Sequence, residues 1–537
     1  MNIEHVEKSY QELESDSTLQ NLIAQANARY ILYNTEESKE NFPRYTIKDE
    51  QLNILAFKYL NIGCNYFSEH NYLKASHSLE KGALILEYIH GSIHIQTKNK
   101  KLFCLISALS YYVCFQYSKA FILIGKLESD TMISSLVSLF LNRKFDQLLS
   151  EIDKLITNSS YGDEYLAEHF EEDNATKIYE IIIAKSLNYY VQFYQTGNKD
   201  FLEIAKKDLV NLQEVAAMRG EPDVWWVIRL LLLIIDGFKE SSLWYVLGNY
   251  FNTEDKLPLK YIQSLVYKNG SITELFLTQR NSLPKVLNNK QGSIVSIPTS
   301  SGKTRIGEIA ILNCLLNEPK AKILFIAPYR SLAYEIENSF DEIFSNLDVS
   351  VSHLYGGSLF SKLDERIIDE SSVIVATPEK AKALFRSNED ILSCIKLVII
   401  DEGHLLGTDK RLIVNEMFYE ELKYHVKANG GRFLLLSAVL PNAEDLSEWL
   451  TDSTDNVYKE NWRPSDERIG IMEWNGVSVN LNWKSTDAER NSFNPNFIMR
   501  QKLPKKPKER IMHYFPENKR SKMVCQPVVC FIGCAFC

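Results

Sequence analysis

Five consecutive residues, Ser300-Ser301-Gly302-Lys303-Thr304, have the chemistry of a phosphate cradle. A turn of small residues lets backbone N–H groups converge on an anion, and a helix opening there adds its partial positive charge. Lys303 has the reach to meet the β- and γ-phosphates of a nucleoside triphosphate, and the Thr304 hydroxyl suits magnesium, so ATP and Mg2+ are the cofactors expected. Thr299 leads into the loop, and Ile297 stands where the usual pattern has its first glycine. A second reactive pair, Asp401 and Glu402, ends the apolar run Leu397-Val398-Ile399-Ile400. Two such carboxylates can divide the work of hydrolysis: Asp401 holds the metal, and Glu402 orients and deprotonates the attacking water.

These groups can meet only if strands deliver them to one edge. Past Gly270, short β-branched runs alternate with helical stretches, the pattern of βαβ units and a parallel sheet. The runs are Ser293 to Ile297, Lys322 to Ala327, Ser372 to Ala376, Lys396 to Ile400 and Arg432 to Ser437, with helices over Thr304 to Leu316 and Ser331 to Phe344. Ligands of an open α/β sheet bind beyond the carboxyl ends of its strands, which places the cradle and the carboxylates in one crevice. The sequence predicts an α/β domain over 271–455 with a P-loop and a parallel sheet.

The chain before it, 1–257, reads as all-α, rich in Tyr, Leu and Ile and poor in Pro and Gly. Tyr59, Ile62, Gly63, Tyr66, Tyr72, Ala75 and Leu79 fall at the offsets of two tightly packed helices, and Ala108, Tyr111, Tyr117, Ala120 and Ile124 repeat them. Both segments resemble tetratricopeptide repeats. The 45 residues from Gly63 to Ala108 exceed the roughly 34 of that repeat, however, and its closing proline is missing from both. A repeat array and an irregular helical domain both remain open. Val224 to Ile235 is apolar but is broken by Arg229 and too short to span a bilayer, so it reads as a buried helix.

Composition is that of a globular protein, 45% hydrophobic and 24% charged. The net charge of −9 requires that nucleic acid be met by a local basic surface. The acidic N-terminus lacks the apolar core of a secretory signal, and nine cysteines in so long a chain suggest reduced thiols, so the expected compartment is cytoplasmic, without a membrane.

From 271 to 455 the chain resembles the superfamily 2 DEAD/DEAH-box helicases, most closely their Ski-like branch. Pro298 to Thr304 is similar to motif I, and Asp401-Glu402-Gly403-His404 to the DExH form of motif II. Ala327 to Leu332 is similar to motif Ia, while Gly356-Gly357 and Ala376 to Lys380 are similar to the next two elements. The resemblance implies a RecA-like domain whose Arg330, Gly357 and Thr377 meet a nucleic-acid backbone without reading sequence. It makes Gln279, in Leu277-Thr278-Gln279, an adenine-reading residue. It also gives His404 and Ser437 the coupling of ATP state to movement, with Val439 where motif III usually has threonine.

Over 456–537 the pattern stops. Arg468 to Trp483 alternates around Asn475-Gly476, a hairpin signal, and Lys502 to Arg510 is a basic, Pro-spaced linker. Cys525, Cys530, Cys534 and Cys537 supply four thiolates, but not as two short hooks across a loop, so an interrupted or frameshifted reading frame is expected rather than a zinc site. No second RecA-like domain, with the arginine such motors use on the γ-phosphate, is recognisable. The expected function is the ATP- and nucleic-acid-binding N-terminal portion of a helicase or translocase, with little hydrolysis by this chain alone. The alternative is a nucleotide-sensing scaffold that binds a protein partner through its helical half.

Overall fold

The computed structural model describes residues 3–34, 49–91, 100–125, 127, 131–158, 172–354, 366, 368–387, 393–403, 410–438, 440–463, 468–474, 479–483, 492–493, 498–502, 514–518 and 531–534. The chain forms two compact units: Met1–Tyr190 with Asp200–Asp236 and Ser465–Cys537, and Val191–Lys199 with Gly237–Pro464.

Helices α1 (Ile3–Ser15), α2 (Ser17–Asn34), α3 (Asp49–Ser68), α4 (Tyr72–His90), α5 (Lys100–Val113), α6 (Tyr117–Gly125), α7 (Met132–Leu141) and α8 (Phe145–Asn158) open the first unit. The helices α9 (Glu172–Thr196), α10 (Asp200–Arg219) and α11 (Pro222–Ser241) follow. The repeat-like offsets mark real helix pairs. Tyr59, Tyr66, Ala75 and Leu79 are buried on α3 and α4, and a Cβ on Gly63 would lie 2.5 Å from Leu79 Cγ and 2.9 Å from its backbone nitrogen. Ala108, Tyr111, Tyr117, Ala120 and Ile124 are buried likewise on α5 and α6. Residues Val227 to Ile235 lie on α11 and, apart from the half-buried Arg229, are buried. Among the described residues no helix is long and apolar enough to cross a membrane.

In the second unit α12 (Leu243–Gly248), α13 (Lys256–Val266) and α14 (Leu277–Leu287) lead into a seven-stranded sheet. Its strands are β1 (Gly292–Ser296), β2 (Lys322–Ile326), β3 (Val351–Leu354), β4 (Val373–Ala376), β5 (Ile395–Ile400), β6 (Arg432–Ser437) and β7 (Val457–Lys459). They run parallel in the order β3-β4-β2-β5-β6-β1-β7. Between them lie α15 (Lys303–Asn317), α16 (Arg330–Phe344), α17 (Pro378–Ser387), α18 (Lys410–Ala428) and α19 (Ala443–Thr451).

The five runs read from the sequence are five of these strands; β3 and β7 are additional and form the two edges. A fully covered parallel sheet explains why β1 is buried along its whole length and why β4 and most of β2, β5 and β6 read as apolar runs. Register brings the carboxyl ends level, with Ile326 opposite both Ala376 and Ile400, Ile400 opposite Leu435, and Ser437 opposite Ser296. The predicted fold class, a RecA-like parallel-sheet domain after an all-α region, is the one observed.

Beyond the sheet, β8 (Arg468–Trp474) and β9 (Val479–Trp483) form the expected antiparallel hairpin, in register Trp474 to Val479. Asn475-Gly476, the basic stretch 503–510, Cys525, Cys530 and Cys537 lie outside the described residues, as do Gly356, Gly357, His404 and Val439.

Candidate functional site

The loop leaving β1 is held in a shape few residues adopt. Ser300 has φ of 66° and Gly302 has φ of 76°, the left-handed region in which a side chain crowds its own backbone. Gly302 is required for a second reason: a Cβ there would sit 2.1 Å from Gln279 Nε2. The two turns let α15 begin at Lys303, so the free N–H groups of its first turn face the loop.

Gln279 straps this loop down. Its Oε1 accepts from the Phe276 N–H at 2.8 Å, and its Nε2 donates to Gly302 O at 3.0 Å. The residue is 5% exposed. A base could use only the second lone pair of Oε1 and the second hydrogen of Nε2, so holding the phosphate loop is the role this geometry shows. Ser301 turns inward, donating its hydroxyl to Trp462 O at 3.4 Å, whereas Thr299 and Ser300 are exposed and Thr304 is partly so.

Lys303 crosses to the second pair of groups. Its Nζ lies 3.1 Å from Glu402 Oε1, which joins the ends of β1 and β5 across the intervening β6. Asp401 is anchored by its N–H to Ile326 O at 2.9 Å. Glu402 takes φ of 52°, and Gly403 donates to Leu436 O at 3.0 Å, so the chain turns sharply as it leaves the strand. Space forces a glycine at 403, since a Cβ would lie 2.5 Å from Leu435 Cδ1.

Charge at this point is unbalanced. Burial and the neighbouring Glu402 push the Asp401 carboxyl up to about 6, although Lys303 and the Glu402 N–H pull it down. Two carboxylates with one ammonium leave a net negative charge that suits a divalent cation, and the donor set fits a magnesium ion that Asp401 and Thr304 would hold.

Three of the remaining predicted residues lie at the same edge. Arg330 is exposed at the first position of α16, and Thr377 is buried where β4 passes into α17. Ser437 ends β6, fully buried, its carbonyl accepting the Ile297 N–H at 3.2 Å. Gly357 and His404 are not among the described residues.

Three features escaped the sequence reading. Phe276 and Trp462 pack with ring centroids 6.1 Å apart beside the P-loop. Arg305 pairs with the fully buried Glu308, which also accepts from Tyr261 Oη at 3.1 Å. A pocket next to the carboxylates is walled by Tyr329, Pro378, Asn415 and Tyr419. The spacing of Arg305 and Glu308 on one helix was a signal for the second feature; the others depend on partners distant in sequence.

The sheet, the strapped phosphate loop and the paired carboxylates define a P-loop nucleotide-binding domain of the helicase type, and residues 277–446 match the DEAD/DEAH box helicase family. The chain is 40% identical over 527 residues to the Hachiman protein HamB of Bacillus cereus, covering 97% of this chain and 46% of that protein. It is 33% identical over 218 residues to the ATP-dependent DNA helicase Hel308 of Thermococcus kodakarensis, covering 41% of this chain and 18% of the relative. It thus spans less than half the length of either. Among solved structures, the DUF1998 helicase MrfA bound to DNA aligns over 40% of this chain and 30% of the other, with 18% identity and a TM-score of 0.35.

Proposed function

We propose that this chain is the ATP- and nucleic-acid-binding portion of a superfamily 2 helicase or translocase, with 271–455 as its RecA-like domain and 1–257 as a helical accessory region. The contact between Lys303 and Glu402 carries the reading, because it brings the phosphate-binding cation and the hydrolytic carboxylate within one hydrogen bond. A magnesium-bound triphosphate would supply the phosphoryl group, and Asp401 and Thr304 are the residues proposed to hold its metal. With nucleotide bound, Lys303 would exchange Glu402 for phosphate oxygen, and the released Glu402 carboxylate could then take a proton from water. Arg330, Gly357 and Thr377 are the proposed backbone contacts for nucleic acid, and His404 and Ser437 the coupling residues.

The match to DEAD/DEAH box helicases and the likeness to proteins named as helicases support this reading. Its test is nucleotide binding and ATPase activity with and without single-stranded DNA or RNA. A chain that binds neither ATP nor nucleic acid would sink it. The tightly packed pairs α3–α4 and α5–α6 favour a second reading, in which the helical half docks a protein partner. A pull-down with the full chain that recovers no partner dependent on those helices would remove it.

A further inference from the structure

The pocket beside Asp401 and Glu402 has two walls that the hydrolytic chemistry does not use. Asn415 and Tyr419 come from α18; Pro378, the first residue of α17, faces them. Asn415 is 7% exposed, and its Oδ1 accepts from Lys382 Nζ at 2.7 Å. Lys382, on α17, also stands 5.6 Å from the centroid of the Phe418 ring on α18, and Phe418 packs 5.6 Å from Phe385. Helix α17 is therefore fastened to α18 by a charge-assisted hydrogen bond, a cation–π contact and a ring pair within two turns.

Apolar packing alone would join two helices in several nearly equivalent registers. A buried amide that accepts from one ammonium selects a single register, since any slip leaves Asn415 unsatisfied. The tie lies between the two sites: α18 lines the pocket of the carboxylates, and α17 opens directly after Thr377. A cation bound at Asp401 and Glu402 would change the charge along one wall of that pocket, and this tie is what joins the α18 wall to α17.

We infer that Lys382 and Asn415 are positioning residues that couple the nucleotide carboxylates to the nucleic-acid face of α17. The inference rests on the proposed reading of Thr377 as a nucleic-acid contact. Coupling of this kind is reciprocal, so either ligand must tighten or loosen the other by the same factor. A contact path becomes coupling evidence only when breaking it changes that factor.

The experiment uses the full chain, a fluorescein-labelled single-stranded oligonucleotide, and magnesium with a non-hydrolysable ATP analogue. Each ligand is titrated alone and in the presence of the other. The wild type should show a coupling factor of roughly 5- to 150-fold. Lys382→Met and Asn415→Leu should bring it towards one while leaving the affinity for each ligand alone within about twofold, and the double variant should be no worse than either single one. Lys382→Arg, which keeps the charge and a donor, should retain most of the factor, and its thermal midpoint separates lost coupling from lost folding. An unchanged factor in Lys382→Met overturns the inference, as does a wild-type factor of one with both ligands bound. Failure of the wild type to bind the oligonucleotide at all overturns the functional reading as well, which distinguishes the two failures.

Discussion

Lys303 Nζ rests 3.1 Å from Glu402 Oε1, so the cation proposed to meet phosphate and the carboxylate proposed as base are paired with each other. Both side chains are largely shielded, at 10% and 23% exposure, and on the proposed reading a γ-phosphate would have to replace this contact. Lys303→Ala removes the phosphate's charged partner. Hydrogen bonds to charged groups are worth about 1.5–3 kcal/mol, so nucleotide affinity should fall roughly tenfold to a hundredfold, measured by calorimetry. Unchanged affinity would show that Lys303 does not reach the nucleotide.

Glu402→Gln separates binding from chemistry. The amide retains an oxygen for Lys303 but cannot accept a proton from water. Nucleotide affinity should stay close to that of the wild type, and nucleic-acid-stimulated hydrolysis should drop by about 10²–10⁴. Wild-type turnover in this variant would exclude Glu402 as the base.

The raised Asp401 carboxyl predicts a pH dependence whose sign is fixed. Below about 6 the folded chain keeps this proton, and a protonated carboxyl is a poor magnesium ligand. Magnesium-dependent nucleotide binding should therefore strengthen from pH 5 to 7. The ligand-free fold should behave oppositely between 3.8 and about 6, losing stability as pH rises, because there the folded state holds a proton that the unfolded chain has released. Thermal midpoints with and without magnesium and nucleotide test both slopes; Asp401→Asn should flatten them.

Gly302→Ala places a methyl group where Gln279 Nε2 lies 2.1 Å away, at φ of 76°. Left-handed strain of about 1–3 kcal/mol adds to the displacement of the Gln279 strap. The second unit should melt earlier, and nucleotide binding should weaken even with Lys303 intact.

Gly63→Val tests the helical half independently. The added methyl groups meet Leu79 and its backbone, so the α3–α4 pair must spread, at a cost of about 1–3 kcal/mol. The thermal midpoint should fall while nucleotide affinity stays unchanged. A parallel loss of nucleotide affinity would show that this substitution is felt beyond the α3–α4 pair.

The sheet was legible because a doubly covered parallel strand is largely apolar on both faces; β2, β4, β5 and β6 carry that signature, and β1 carries it more weakly around Ile294-Val295. The edges were not. β7 is three residues long and partly exposed, and β3 is a four-residue strand, so neither offers a long apolar run. The P-loop and the carboxylates were legible because their chemistry depends on neighbours in sequence. Gln279 was only half legible: its position suggested the nucleotide, but its strap on Gly302 depends on a loop 23 residues on. Lys382 and Asn415 gave no signal, since a lysine and an asparagine 33 residues apart become a pair only when α17 and α18 lie side by side.

The stretch after β7 gives the site a mechanical property. Glu460 donates its N–H to Ser296 O at 3.2 Å, Trp462 O takes the Ser301 hydroxyl, and the Trp462 ring rests against Phe276. The chain leaving the sheet is thus moored to the phosphate loop and to the start of the helix that straps it. Tension on the backbone past Arg463 would be borne first by Ser301 and Phe276, which makes this short segment a line along which pulling and nucleotide grip can oppose each other.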